Sequence, residues 1–291
     1  MRSLLLLTAL LLATTLFAQT TPPTGAPSLS NQEIKALISQ AAEKDIENDK
    51  RQRDYTYIQR EEERKLDGKG AVKSSEARTY EIMVLYEESV RKLIAKDDKP
   101  LPEKDARKED EKIQKVIDKH KNEDEGDHKK RLEKAEKDRE EGRKFVQEIA
   151  DAFDFRFVGT EKLGDRETDI IDAEPRPGYE PHMKDAKFLP KFRFRVWLDQ
   201  AEKQWVKIDI QCIDTVSVGL FLARIHKGSN IQIEQTRVND EVWLPQHVAL
   251  KIDARIALLK GLNISEDVTY RDYKKFHTET KIVPGEEVTE K

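Results

Sequence analysis

Histidines, a cysteine and clustered carboxylates are the residue types in this chain that could do chemistry, and their spacing decides how far each can go. His120 and His128 flank an acidic stretch holding Glu123, Asp124 and Asp127, which offers donor types for a divalent cation. Nothing in the chain geometry enforces a site there. His182, His226, His247 and His277 are scattered, with no nearby cysteine or second histidine. Glu61-Glu62-Glu63 supplies carboxylates of the kind used in glycoside hydrolysis, but on so charged a surface their spacing defines no cleft. Cys212 is the single cysteine, so an internal disulfide is impossible. Its place on the apolar face of a strand predicts an inert, packed thiol. Nucleophile elbows, phosphate-cradling glycine loops and dinucleotide fingerprints are absent. The expectation is a protein that is not an enzyme and needs no metal or cofactor.

Composition narrows the partners. Of the 291 residues 38% are charged, yet the formal net charge is only −4 and the signs are interleaved. A concentrated basic face for nucleic acid is missing, and Trp197, Trp205 and Trp243 read as sheet-packing aromatics. The charge is concentrated from Glu103 to Lys144, where 30 of 42 residues are charged, 15 of each sign. Strong helix formers with opposite charges three or four apart predict two helices broken at Asn122 to Asp127, a charged hairpin inserted over 103–150. It is expected to project from the body and to dock mainly through its second arm, where Leu132, Ala135, Phe145, Val146 and Ile149 thicken the apolar strip. Its role is either a solvated spacer or an arm for an envelope protein partner.

These elements must be positioned by something apolar, and the rest of the chain supplies it. Residues 1–18 read as a secretory signal peptide without a lipid-attachment cysteine, so the expected location is the periplasm. Residues 19–29 read as a flexible lead and 277–291 as a disordered tail. The signature Ser30-x-x-Glu33 opens a helix whose apolar face runs through Ile34, Leu37, Ile38, Ala41, Ala42 and Ile46. Alternating residues mark strands from Tyr55 to Arg60, Arg78 to Tyr86, Phe153 to Phe157 and Thr168 to Ala173. Further runs follow at Phe192 to Leu198, Trp205 to Cys212, Val216 to Ile225, Asn230 to Val238, Val242 to Leu258 and Ile264 to Phe276. Gly159 to Arg166 reads as a turn, and the proline-rich segment from Glu174 to Pro190 as loop or edge. The later strands should form a meander, each beside its predecessor.

The strand Phe192 to Leu198 ending in Asp199, the return strand Trp205 to Cys212, the stretch from Ile231 through Val238 to the VWLPQHV run at Val242 to Val248, and the closing YRDYKKF from Tyr270 to Phe276 resemble the periplasmic lipoprotein carriers of the LolA-like family. The resemblance spans 30–276 as one domain, interrupted by the charged insertion. It implies an α+β fold, a curved antiparallel sheet or incomplete β-barrel covered by helices, and an apolar concavity that holds a lipid, lipoprotein acyl chains or another apolar ligand. Candidate lining residues are Phe192, Phe194, Val196, Val206, Ile208, Ile210, Ile231, Ile233, Leu250 and Ile252. The same residues would serve equally as core beneath the first helix. The insertion and the charged front strands depart from the family pattern, and no family binding residue maps onto a particular position. Two functions therefore stand open: carriage of an apolar ligand, and a non-enzymatic envelope interaction role through the hairpin.

Overall fold

The computed structural model describes residues 29–86, 88–218, 223–256 and 260–275. Residues 1–18, read above as a signal peptide, lie outside the described residues, as do nearly all of the expected lead, Phe276 and the expected tail. Helix α1 (Asn31–Gln52) begins as its sequence dictates: the Ser30 hydroxyl accepts from the Glu33 amide at 3.3 Å and the Glu33 carboxylate accepts from the Ser30 amide at 2.7 Å. Strands β1 (Tyr55–Leu66), β2 (Val72–Leu85), β3 (Glu88–Lys96) and β4 (Lys99–Pro100) follow, then α2 (Glu103–Lys121) and α3 (Glu125–Ala152). The remainder is β5 (Phe153–Leu163), β6 (Arg166–Pro175), β7 (Phe192–Asp199), β8 (Trp205–Cys212), β9 (Val216–Val218), β10 (Ala223–Ile225), β11 (Asn230–Val238), β12 (Val242–Ile256) and β13 (Lys260–Lys275).

The thirteen strands among the described residues join one open, curved antiparallel sheet in the order β4-β3-β2-β1-β13-β12-β11-β8-β7-β6-β5, with β9 and β10 off that path. The α+β class is therefore as the sequence predicts. The strict meander is not. After β8 the chain folds into the short hairpin β9–β10, and β8 pairs with β11 instead. Length explains this. β12 outruns β11, which pairs with it only as far as Lys251, so Ala223–Ile225 takes the remaining edge against Ala254–Ile256. Gly159 is likewise not the turn: the register slips there by one residue, β5 continues to Leu163, and the reversal falls at Gly164, whose φ of 62° suits glycine.

The main core gathers Ile34 and Ala41 of α1, Phe153 and Phe155 of β5, Ile171 and Ala173 of β6, and Leu198 of β7. Phe145 and Ile149 of α3 pack against it. Helix α1 crosses the strands from β5 to β12, where Asn48 both donates to the Trp243 carbonyl (2.6 Å) and accepts from its amide (2.8 Å). The charged hairpin is held mainly through α3, which lies against α1 and β5. Its first arm is tied as well. Asp110 pairs with Lys92 at 2.5 Å, and the buried Glu109 accepts from the Leu93 amide at 3.4 Å. Near the α2–α3 turn Arg131 grips Glu123 through two nitrogens (3.1 and 3.0 Å) and donates to the Tyr86 carbonyl at 2.7 Å. Tyr86 in turn stacks on His120, with ring centroids 4.9 Å apart.

Candidate ligand-binding face

Residues directly opposite one another in paired strands share a face of the sheet, so the registers define rows that cross it. One row runs Ala173, Phe194, Ile210, Ile231, Leu250, then Glu266, Glu63 and Glu76. Beside it runs Ile171, Val196, Ile208, Ile233, Val248, Val268, then Glu61 and Arg78. Both rows are apolar from β6 to β12 and become charged at β13 and β1. This is the face on which α1 lies, because Phe194, Val196 and Trp205 pack against the core cluster that contains Ile34 and Ala41.

Helix α1 does not cover the whole of it. Ile171, Ala173 and Leu198 are buried, whereas Phe194, Val196, Ile208, Ile210, Ile231, Ile233, Val248 and Leu250 are only half-buried. The structure thus brings Phe194, Val196, Ile208, Ile210, Ile231, Ile233 and Leu250 into two adjoining rows. Ile252, opposite Ile264, extends the patch along β12, and Phe192, opposite Cys212, extends it along β7. Val206 leaves the pattern. Leu198 pairs with Trp205 and Trp197 with Lys207, so Val206 is the extra residue of a bulge and is buried at the edge of the face.

Beneath the helix, polar groups fix how α1 sits. The Asp45 carboxylate accepts from the Trp205 indole at 2.9 Å and from the Gln204 amide at 3.1 Å. Burial pushes its pKa up, and hydrogen bonds from Trp205, Gln204 and Gln235 partly offset that. At the far end of the face burial raises the Glu266 pKa, and the neighbouring Glu61 and Glu63 charges raise it further. Arg91 pairs with Glu61 at 2.5 Å and lies 4.1 Å from the centre of the Tyr80 ring. Tyr57 contacts Tyr270 and Tyr273 with centroids 5.9 and 5.2 Å apart, and burial pushes the Tyr270 hydroxyl up to about 12. The acidic end escapes the sequence because it depends on β1 pairing with β13, some two hundred positions away in the chain.

The opposite face of β6 to β8 is mostly polar, with Ile170 and Trp197 facing one another as its apolar pair. Asp172 accepts from Arg195 at 2.6 and 3.0 Å and from Arg156 at 2.9 Å, beside a groove of about 260 Å³ lined by Glu174, Arg193, Trp197 and Asp209. The histidines first weighed as metal ligands do meet: His120 and His128 approach Glu123 at 3.7 and 3.4 Å. The cation at their centre is Arg131, which holds Glu123 down to about 2. Among the described residues no group of three or more His, Cys, Asp or Glu is arranged to hold a metal. Cys212 is buried and its thiol pKa is raised by burial.

No family model matches the chain, and no curated protein does. Solved structures to which it is similar include an outer membrane lipoprotein-sorting protein domain from Vibrio parahaemolyticus, 11% identical over 83% of this chain and 95% of that one, with a TM-score of 0.34. A LolA superfamily protein from Nitrosomonas europaea is 9% identical over 86% and 94% of the two chains, with a TM-score of 0.32. A DUF1329 family protein from Desulfovibrio piger is 10% identical over 83% and 92%, with a TM-score of 0.30.

Proposed function

We propose that the chain is a periplasmic carrier or binding protein that holds a lipid, the acyl chains of a lipoprotein or another apolar ligand on the inner face of its open sheet. One observation carries this reading: two adjoining apolar rows, continuous across β7, β8, β11 and β12, stay half-exposed beside the helix that buries their ends on β6. A contiguous apolar surface in water is costly, at roughly 25 cal/mol per Å², and a bound acyl chain removes that cost. Export through the N-terminal segment would deliver the protein to the compartment where such cargo crosses between membranes.

Residues 19–291, purified from cells without detergent, test the reading by native mass spectrometry and solvent extraction. Stoichiometric acyl-chain cargo, or saturable binding of a fluorescent fatty acid that added lipid displaces, is the expected result. A clean unliganded mass with no probe binding overturns it. The function then moves to the charged hairpin, where α3 presents the exposed Leu132 among ion pairs such as Lys129–Glu133 and Lys137–Glu141.

A further inference from the structure

The sheet is split between β8 and β11. β8 and β11 are paired from Gln211 opposite Asn230 to Lys207 opposite Glu234, and no further. Beyond that point Trp205 pairs only across to β7, while Gln235 to Val238 pair only across to β12. A bulge flanks the split on each side, between Trp197 and Leu198 and between Glu234 and Gln235. Bulges bend and twist the strands that carry them, so the two ribbons diverge. The gap is a cleft of about 380 Å³ between Val206 and Lys207 on one lip and Gln235, Thr236 and Arg237 on the other.

Three features of this cleft are those of a receptor for main chain. First, β11 keeps an open edge. In an antiparallel ladder half of the N–H and C=O groups of Gln235 to Val238 point away from β12, and in the cleft no strand takes them. Second, Gln235 lines the cleft at 5% exposure, and its side-chain carbonyl oxygen has no hydrogen-bond partner, while the same side chain helps to hold Asp45. A buried acceptor left bare is costly, and an incoming N–H would satisfy it. Third, the far wall is tied together by polar contacts. The Arg166 guanidinium stacks 4.6 Å from the Trp243 ring centre, and Glu202 collects the Trp243 indole (2.9 Å), Arg166 (3.2 Å) and Arg237 (3.3 Å). The lining cations are thus already matched by acids, so the cleft selects for alternating donors and acceptors rather than for net charge.

We propose that this cleft binds a short extended peptide segment of a protein partner, which enters as an added strand against the free edge of β11 and donates an N–H to Gln235. An apolar molecule there would leave the edge unpaired, whereas a peptide offers donors and acceptors at the same spacing. The site lies at the rim and is separate from the apolar rows, so it stands whether or not the face carries lipid.

The test is a cellulose-bound array of random hexapeptides probed with residues 19–291, followed by fluorescence anisotropy on the retained sequences. Binding is expected to weaken about tenfold in Gln235→Leu, the loss of one buried hydrogen bond, and to vanish in Gln246→Trp, which fills the mouth from an exposed position. N-methylation of every second amide of the peptide should abolish binding in one phase and spare it in the other, as strand addition requires. Because Gln246 is exposed, that variant keeps its fold, which circular dichroism verifies. Retention of no peptide overturns the proposal. So does binding that survives both Gln246→Trp and methylation in either phase.

Discussion

The two halves of the inner face are built from the same kind of backbone and do opposite things. In the two rows from β7 to β12 the inward positions are Phe, Val, Ile and Leu; from β13 through β1 to β3 they include Glu266, Glu61, Glu63 and Arg91. The apolar half is spanned by α1, which needs something to rest on. In the charged half Arg91 pairs with Glu61 and lies over Tyr80, with the tyrosine cluster alongside, while Glu266 faces Glu63. Strand pairing fixes where side chains lie; it does not fix what the face is for. The change of character at β13 divides a surface that can take an apolar ligand from one that can stand in water without one.

Four experiments probe that division. Asp45→Ala removes the acceptor that ties α1 to Gln204 and Trp205 over the apolar half. Urea unfolding should show a loss of roughly 1–3 kcal/mol, the cost of leaving buried donors unpaired, with Asp45→Asn losing less. Leu250→Glu carries the acidic character one strand into the apolar rows. It should cut affinity for a fluorescent fatty acid by about tenfold or more, while Leu250→Met leaves it nearly unchanged. Equal binding by Leu250→Glu would mean the rows are not the ligand surface. Ser30→Ala breaks the capping box at the end of α1 nearest β5 and should cost about 1 kcal/mol, read as a lower melting temperature.

The smallest effect concerns Glu266. Its folded pKa lies above the unfolded one because of burial and of Glu61 and Glu63. The ionised form is therefore disfavoured in the folded protein, a penalty present at neutral pH and absent once the pH falls below the unfolded carboxyl range of about 4.3. Glu266→Gln should raise the melting temperature slightly at pH 7 and make no difference near pH 3. A variant less stable than the parent at pH 7 would show that Glu266 already has a stabilising partner.

Much of this was legible in the residues. Alternation located β7, β8 and β11 almost to the residue, because each has one apolar and one polar face. The Ser30 cap and the break between α2 and α3 were equally plain. Strand β3 was not, since Arg91 and Leu93 share its inward face and the apolar period is lost. Nor was the length of β1, which continues through Glu61-Glu62-Glu63 with no hydrophobic signal and owes its extent to pairing with β2 and β13. The apolar rows follow from one-sided strands and were foreseeable. Val206 was misplaced because a bulge changes the phase of a strand without changing its composition, and the split between β8 and β11 is invisible for the same reason.

The two arms of the charged hairpin end at opposite edges of the sheet, α2 on β3 and α3 on β5. An open sheet has two strand edges, and each is a template on which a second molecule can polymerise. Here the Leu93 amide on the β3 side is taken by Glu109, Lys99 and Pro100 continue that edge for only two residues, and α3 runs straight into β5. The segment richest in charge is therefore also the one that lies near both ends of the strand order, where an open sheet has its free edges.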